Sequence, residues 1–313
     1  MIAGLMGARA VPGKQRGTGA MFVTQPQRQP RRQSLAMGAF RLAELIFHAT
    51  ARQARQSHSS AMMALGMQLL QSLIFVAAFY VMFTILGLRG AALRGDFILF
   101  IVSGIFLFIT HVKAVSAVAG AEGPTSAMMN HAPMNTVVAV ISSALASLYI
   151  STLSILLILT AVHLIGSMTT PLSLLGYPIS MNPLDILDPA PAIGMYLLAW
   201  FSGCAIGLPL HALKPWLPNF VSIVTAIYSR VNMIASGKMF VVNMLPADRR
   251  PLFDWNPLFH IIDQCRGFTF VNYNPAHTDW TYAFWLSVVF VIVGIMGEFF
   301  TGRHASASWS ARR

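Results

Sequence analysis

YSRVNMIASGKMFVVNMLPADRRPLFDWNPLFHIIDQCRGFTFVNY, residues Tyr228 to Tyr273, is the stretch on which the reading of this chain turns. It leaves an apolar helix and breaks at Ser236-Gly237. A short apolar run from Met239 to Leu245 is stopped by Pro246, and the polar group Asp248-Arg249-Arg250-Pro251 follows. A second short run, Pro257 to Cys265, carries its own punctuation. Asn256 suits an N-cap, Pro257 the first helical position, and Gly267 the left-handed residue beyond the end. A helix from Pro257 to Arg266 is about 15 Å long. That is half of a hydrocarbon core of about 30 Å. Two half-length helices with a turn between them predict a re-entrant hairpin over 236–267. Such a hairpin persists at membrane depth only where protein or water covers its broken backbone. An external loop with amphipathic helices is the other reading of the same pattern.

Composition sets the class. Hydrophobic residues make up 56% of the 313 and charged residues 10%, with a mean hydropathy of +0.63. Soluble domains carry about 25% charge, so the chain reads as an all-α integral membrane protein. Its two cysteines, Cys204 and Cys265, fall in separate apolar segments and imply neither a disulfide framework nor a cysteine metal site. The net charge of +11 is not a nucleic-acid footprint. Residues 1–59 hold nine Lys/Arg against the single acid Glu44, so +8 precedes the first span. A basic flank there is the positive-inside signal and places both termini in the cytoplasm.

Residues 1–36, rich in Gly, Arg, Gln and Pro, are expected to be a disordered cytoplasmic segment without the apolar core of a secretory signal. Met1, Met21 and Met37 are all candidate starts. Residues 37–58 set Phe40, Leu42, Leu45 and Ile46 against Arg41, Arg52 and Arg55, which predicts an amphipathic interfacial helix. Six transmembrane helices are predicted within 59–302: Met62–Leu86, Phe97–Ala119, Val137–Ile165, Ala192–Leu213, Phe220–Ala235 and Trp280–Phe300. Residues 303–313 form a cytoplasmic tail. With this orientation, the external segments 87–96, 166–191 and 236–279 hold seven of the ten acids.

Little covalent chemistry is encoded. No G-x-x-x-x-G-K-[ST] loop is present, so the chain has no such cradle for ATP phosphates. Among the histidines, His260 lies at helical spacing from a carboxylate, Asp263, and a capped structural helix accounts for that pair equally well. Asp263 and Arg266 are three apart on one helix. They are expected to form an ion pair pinning the hairpin to its bundle. Phe75, Phe79, Tyr80 and Phe83 make an aromatic stripe, either packing or a sliding face for sugars. Arg230, inside the fifth predicted span, is expected to face the bundle interior or water, because a charge at that depth costs about 3 kcal/mol or more.

The order Ser236-Gly237, Pro246, Trp255-Asn256-Pro257-Leu258, His260, Asp263, Arg266, set just before the last span, resembles the permease subunit of type-2 ABC exporters. The similarity is greatest to those moving capsular polysaccharide, O-antigen or teichoic acid, and it extends weakly from about Leu45 to Phe300. It implies a homodimer in the bacterial inner membrane, working with two copies of a separate ATP-binding subunit. That partner would hold ATP and Mg, with no cofactor or metal on this chain. The resemblance makes the cargo a lipid-linked glycan, with periplasmic and outer-membrane export components beyond it and no nucleic acid. Met128, Met129, Asn130 and His131, between Gly123-Pro124 and Pro133, match a coupling helix that contacts the ATPase, and Arg52 and Arg55 the interfacial helix that touches it. Ser236, Gly237, Trp255, Asn256, Pro257, His260, Asp263 and Arg266 form the periplasmic gate. Phe75, Phe79, Tyr80, Phe83 and Arg230 line the channel. An exporter of a small hydrophobic drug or lipid on the same fold, and a membrane-embedded sugar or acyl transferase, are the other readings.

Overall fold

The computed structural model describes residues 35–56, 61–85, 97–123, 136–167, 172–174, 177–179 and 185–310. The coupling candidates Met128, Met129, Asn130 and His131 and the N-terminal segment 1–34 lie outside the described residues. The chain divides into two units, Met1–Arg41 and Leu42–Arg313. Of the first, only the opening turns of α1 (Leu35–Gln56) are described. Within the second unit α1 continues with Phe47 and Leu45 exposed and Ala49 and Ala54 buried, and Thr50 back-bonds to the Ile46 carbonyl at 2.7 Å. Arg52 is exposed on α1, and the Arg55 side chain lies outside the described residues.

The second unit is helical: α2 (Ala61–Ile85), α3 (Phe97–Gly120), α4 (Thr136–Gly166), α5 (Pro189–Leu213), α6 (Pro218–Ala235), α7 (Pro257–Thr269) and α8 (Trp280–Ser310). One small hairpin, β1 (Leu172–Leu174) antiparallel to β2 (Tyr177–Ile179), lies between α4 and α5. The helices α5, α6 and α7 open on a proline, whose missing N–H costs nothing in a first turn. Among the described residues, five helices are long and apolar enough to cross a membrane: α2, α3, α4, α5 and α8. This is a multi-pass α-helical membrane protein. The predicted fifth span is the exception. As α6 it keeps its place, but its 18 residues include Ser222, Thr225, Ser229, Arg230 and Asn232, and it extends only about 27 Å. At the other end, α8 runs on to Ser310 through what was expected to be a tail.

α3 is the central element. From Ile98 to His111 its residues are buried on every side, Ser103 alone only partly, whereas α2, α4 and α8 present mostly exposed apolar surface. The aromatic stripe of α2 faces it. Phe83 meets Phe97 at 5.4 Å and Phe100 at 6.4 Å, and Tyr80 meets Phe97 at 6.1 Å. Phe79, Tyr80 and Phe83 are therefore packing residues in this chain, not an open sliding face; Phe75 borders an open groove. Against the other side of α3 lies α5, which carries Ala199, Gly203 and Gly207 at four-residue spacing. A Cβ on Gly203 would lie 2.4 Å from the His111 carbonyl oxygen, and one on Gly207 2.8 Å from that of Val115. Small residues at this spacing let helix backbones touch where no hydrophobic effect drives association.

Polar side chains fasten the same bundle. His111 in α3 bonds through Nδ1 to the Ala199 carbonyl (3.1 Å) and Ser202 Oγ (2.9 Å) of α5, and through Nε2 to the Tyr228 hydroxyl of α6 (2.8 Å). Ser202 gives its own hydrogen to Ala199, so the Nδ1 hydrogen is on the imidazole and Tyr228 donates to Nε2. Where α3 ends, Lys214 Nζ donates to the carbonyls of Gly120 (3.0 Å) and Ala121 (3.1 Å). Beside it His211 pairs with Glu298 of α8.

Candidate functional site

The predicted gate residues come together where α6 ends. Asn232 and Ser236 are fully buried, and Gly237 adopts φ +71°, the left-handed turn that a side chain would oppose. A Cβ there would also strike Phe259 at 2.8 Å. The turn brings Lys238 against α3, with its ammonium 3.7 Å from the Phe108 ring centre and bonded to the Met233 carbonyl. Gly104, beside this turn, lies seven residues into α3, about 10 Å along it. The turn thus sits well inside the length of α3, not at its tip.

Beyond the turn the expected first half-helix is not formed. Met239–Leu245 holds a single 3-10 turn, Val242–Met244, and a second one, Arg250–Leu252, precedes α7. α7 begins as predicted. Asn256 accepts the Leu258 N–H at 3.0 Å, and Pro257 opens the helix. The Asn256 amide also donates to Asn232 Oδ1 and the Ala235 carbonyl, both at 2.9 Å, which ties the start of α7 to the end of α6. The helix does not end at Gly267. It continues to Thr269, and Gly267 is instead the contact point for Pro275, whose Cδ a Cβ would meet at 2.6 Å. Protein covers most of α7: Leu258, Phe259, Ile261, Ile262, Asp263 and Arg266 are wholly inaccessible, and the side with Gln264, Gly267 and Phe268 is half-buried.

Asp263 and Arg266 share a side of α7 but do not pair. Arg266 Nη1 donates to the carbonyls of Gly237 (2.9 Å) and Phe240 (2.7 Å), and Nη2 to that of Lys238 (2.7 Å). Its guanidinium lies 4.0 Å over the Phe100 ring. Burial pulls it down to about 10, so the group stays charged at neutral pH. Burial pulls Lys238 down to about 7. Asp263 turns away to Tyr273, whose hydroxyl donates to Oδ1, and to Thr278, whose hydroxyl donates to Oδ2 at 2.8 Å. Burial raises the Asp263 carboxyl. The two hydroxyls oppose that rise, and the Arg266 charge adds a weaker opposition from a distance. The expected ion pair is replaced by two separate anchors. The basic one holds the α6 turn, and the acidic one holds the 273–278 link to α8. The reason is physical: three carbonyls of the turn, only that of Gly237 having another donor, the Phe240 N–H at 3.4 Å, and two hydroxyls lie nearer than the charges lie to each other.

His260 is the third anchor. The Asp279 backbone N–H donates to Nδ1 at 3.1 Å, and Nε2 bonds the Asp254 carbonyl at 2.8 Å. Nε2 therefore carries the hydrogen, and neither nitrogen is left for a metal or a proton transfer. Among the described residues no group of three metal-ligating side chains occurs. Asp279 in turn caps α8, accepting from the Thr281 N–H at 2.8 Å, and those bonds hold its carboxyl below the usual range. Trp255 stands at the exposed rim, its carbonyl accepting from the Tyr282 hydroxyl at 3.0 Å. Arg230 does not face the interior of the single chain. It is exposed on α6, beside an apolar row of Phe220, Ile223, Ile227, Val231 and Ile234.

Sequence reasoning passed over Lys238, the His111–Tyr228 junction and the His211–Glu298 pair. Each was marked by an ionisable residue inside or next to an apolar run, which in a membrane protein is itself a signal. The chain matches no protein-family model and no curated protein.

Proposed function

We infer that this chain is the membrane-spanning permease subunit of an ATP-driven exporter moving a lipid-linked polysaccharide, of the capsular type, across the inner membrane. One observation carries the reading. Gly237, Asn256, His260, Asp263 and Arg266, residues of the string that resembles the exporter permeases, are also the residues that lock a protein-covered helix between α6 and the last span. In this reading α6 is a sixth crossing, and the turn at Gly237 with α7 is a re-entrant gate. The exposed row of α6 with Arg230 meets a second copy of the chain, since a guanidinium turned to lipid is costly. Closure of two ATPase subunits pushes on 121–135 and on α1, and the bracing of α3 to α5 through Lys214 carries the push into the bundle. The chain itself makes and breaks no covalent bond.

The test is purification alone and with a candidate ATP-binding subunit. Alone, the chain hydrolyses no ATP above background. With its partner, it co-purifies and alters the partner's turnover. In a background with Cys204 and Cys265 replaced by alanine, Ile227→Cys cross-links chain to chain. Turnover by the lone chain, or a monomer in both preparations, overturns the reading. Orientation is checked separately. Ser306→Cys reacts with a membrane-impermeant thiol reagent only after the inner membrane is breached, and labelling in intact cells reverses the topology.

A further inference from the structure

An open groove of about 410 Å³ runs along one face of α2, lined by Met67, Gln68, Leu70, Gln71, Ile74 and Phe75, with Lys113 of α3 at its side. Lys113 lies within a membrane-crossing helix. Its ammonium does not reach back toward the interface. It is fixed on Gln68 Oε1, and Gln68 is fixed in turn by its Nε2 bond to Ser151 Oγ of α4 at 3.2 Å. Among the described residues no carboxylate lies within ion-pair distance of Lys113. The groove thus presents one uncompensated cation, two amides and a wall of exposed apolar side chains, Met67, Leu70 and Ile74.

We propose that this groove binds an amphiphile whose phosphate group sits on Lys113 and Gln71 and whose hydrocarbon chain lies along Leu70, Ile74 and Phe75. A cation without a partner inside a membrane is costly, and an anionic group brought by a ligand offsets that cost. The ligand must also be apolar, because the rest of the wall offers hydrocarbon and one aromatic ring. The crossing helices of a second copy carry no free acid to supply the anion. Across the five crossing helices and α6 the only acid is Glu298, which His211 already holds. From Met67 to Phe75 the wall is about 12 Å long, enough for a chain laid along the helix rather than a headgroup alone. The site rests on the exporter reading only where the bound amphiphile is taken to be the lipid carrier of the cargo. Binding itself stands without it.

The experiment uses the full chain in neutral detergent, with adducts counted by native mass spectrometry. The probes are farnesyl phosphate, farnesol and inorganic phosphate. Farnesyl phosphate binds one per chain, and farnesol binds about tenfold or more weaker, the margin of one charge-assisted bond. Lys113→Gln removes that margin and Lys113→Arg keeps it. Leu70→Trp, at an exposed position, fills the groove and weakens both lipids; it decides the matter if Lys113→Gln does not fold. Equal binding of farnesol and farnesyl phosphate, or an unchanged Lys113→Gln variant, overturns the site. Displacement of farnesyl phosphate by inorganic phosphate alone reduces it to a free-anion site and overturns the amphiphile. Failure of the ATPase experiment above leaves these outcomes untouched, so the two readings fail separately.

Discussion

Arg266→Ala is expected to cost about 3–5 kcal/mol, since each buried acceptor stripped of its donor costs about 1–3 kcal/mol, and to abolish any activity that needs the helix before the last span in place. The guanidinium supplies three hydrogen bonds to the carbonyls of Gly237, Lys238 and Phe240. Alanine leaves the Lys238 and Phe240 carbonyls without this donor and the Gly237 carbonyl with only the long 3.4 Å bond from the Phe240 N–H, and it opens a void over Phe100. Arg266→Lys is expected to recover little, since an ammonium on a single stem does not reproduce a planar fork. The informative comparison is with Asp263. Because Asp263 is held by Tyr273 and Thr278, Asp263→Ala and Arg266→Ala are expected to add within about 0.5 kcal/mol in the double variant. Thermal unfolding of the four proteins in detergent measures this. A double variant distinctly more stable than the sum would restore a direct ion pair between them.

The second large effect is at Gly203. Its missing Cβ leaves room for the His111 carbonyl oxygen at 2.4 Å and Ala114 Cβ at 2.9 Å, and the first of these is backbone that cannot swing aside. Gly203→Ala is expected to destabilise by about 1–3 kcal/mol, the cost of overpacking. Gly203→Leu is expected to separate α3 from α5, breaking the bonds of His111 to Ala199 and Ser202 at the same time. Gly194→Ala on the same helix is the control. Nothing lies within 4 Å of its Cβ position, so it is expected to be neutral or to stabilise by up to about 1 kcal/mol through helix propensity. Equal losses at 203 and 194 would show that glycine content, not the crossing, matters.

These two sites mark what could and could not be read from the chain. Long apolar runs gave the crossings within a few residues because length and hydropathy are local properties, and Asn256-Pro257 gave the start of α7 for the same reason. The end of α7 was misplaced because Gly267 serves a contact with Pro275, eight residues further along the chain, rather than a cap. The Asp263–Arg266 spacing was read correctly as one helical side. Yet the partners that won are backbone carbonyls, which carry no letter in a sequence, and hydroxyls from a later loop. The stripe on α2 was likewise visible, whereas the helix that covers it was not. In α6 two side chains with polar atoms, Tyr228 and Asn232, bond to α3 and to the cap of α7.

The central place of α3 has a consequence for how the protein is made. Two of its partners lie far along the chain: α5 begins at Pro189, and α7, which brings Arg266 over Phe100 and against Gly104, ends at Thr269. From Gly120 to Thr269 is 149 residues. At roughly 5–20 residues per second, synthesis takes about 7–30 s to cover that distance. Throughout that interval the ring of Phe100 and the glycine notch are presented to lipid or to the insertion machinery. The last wall of the bundle is laid only after the ribosome has passed Thr269, so truncation before that point leaves the most deeply enclosed helix of the finished protein open on one side.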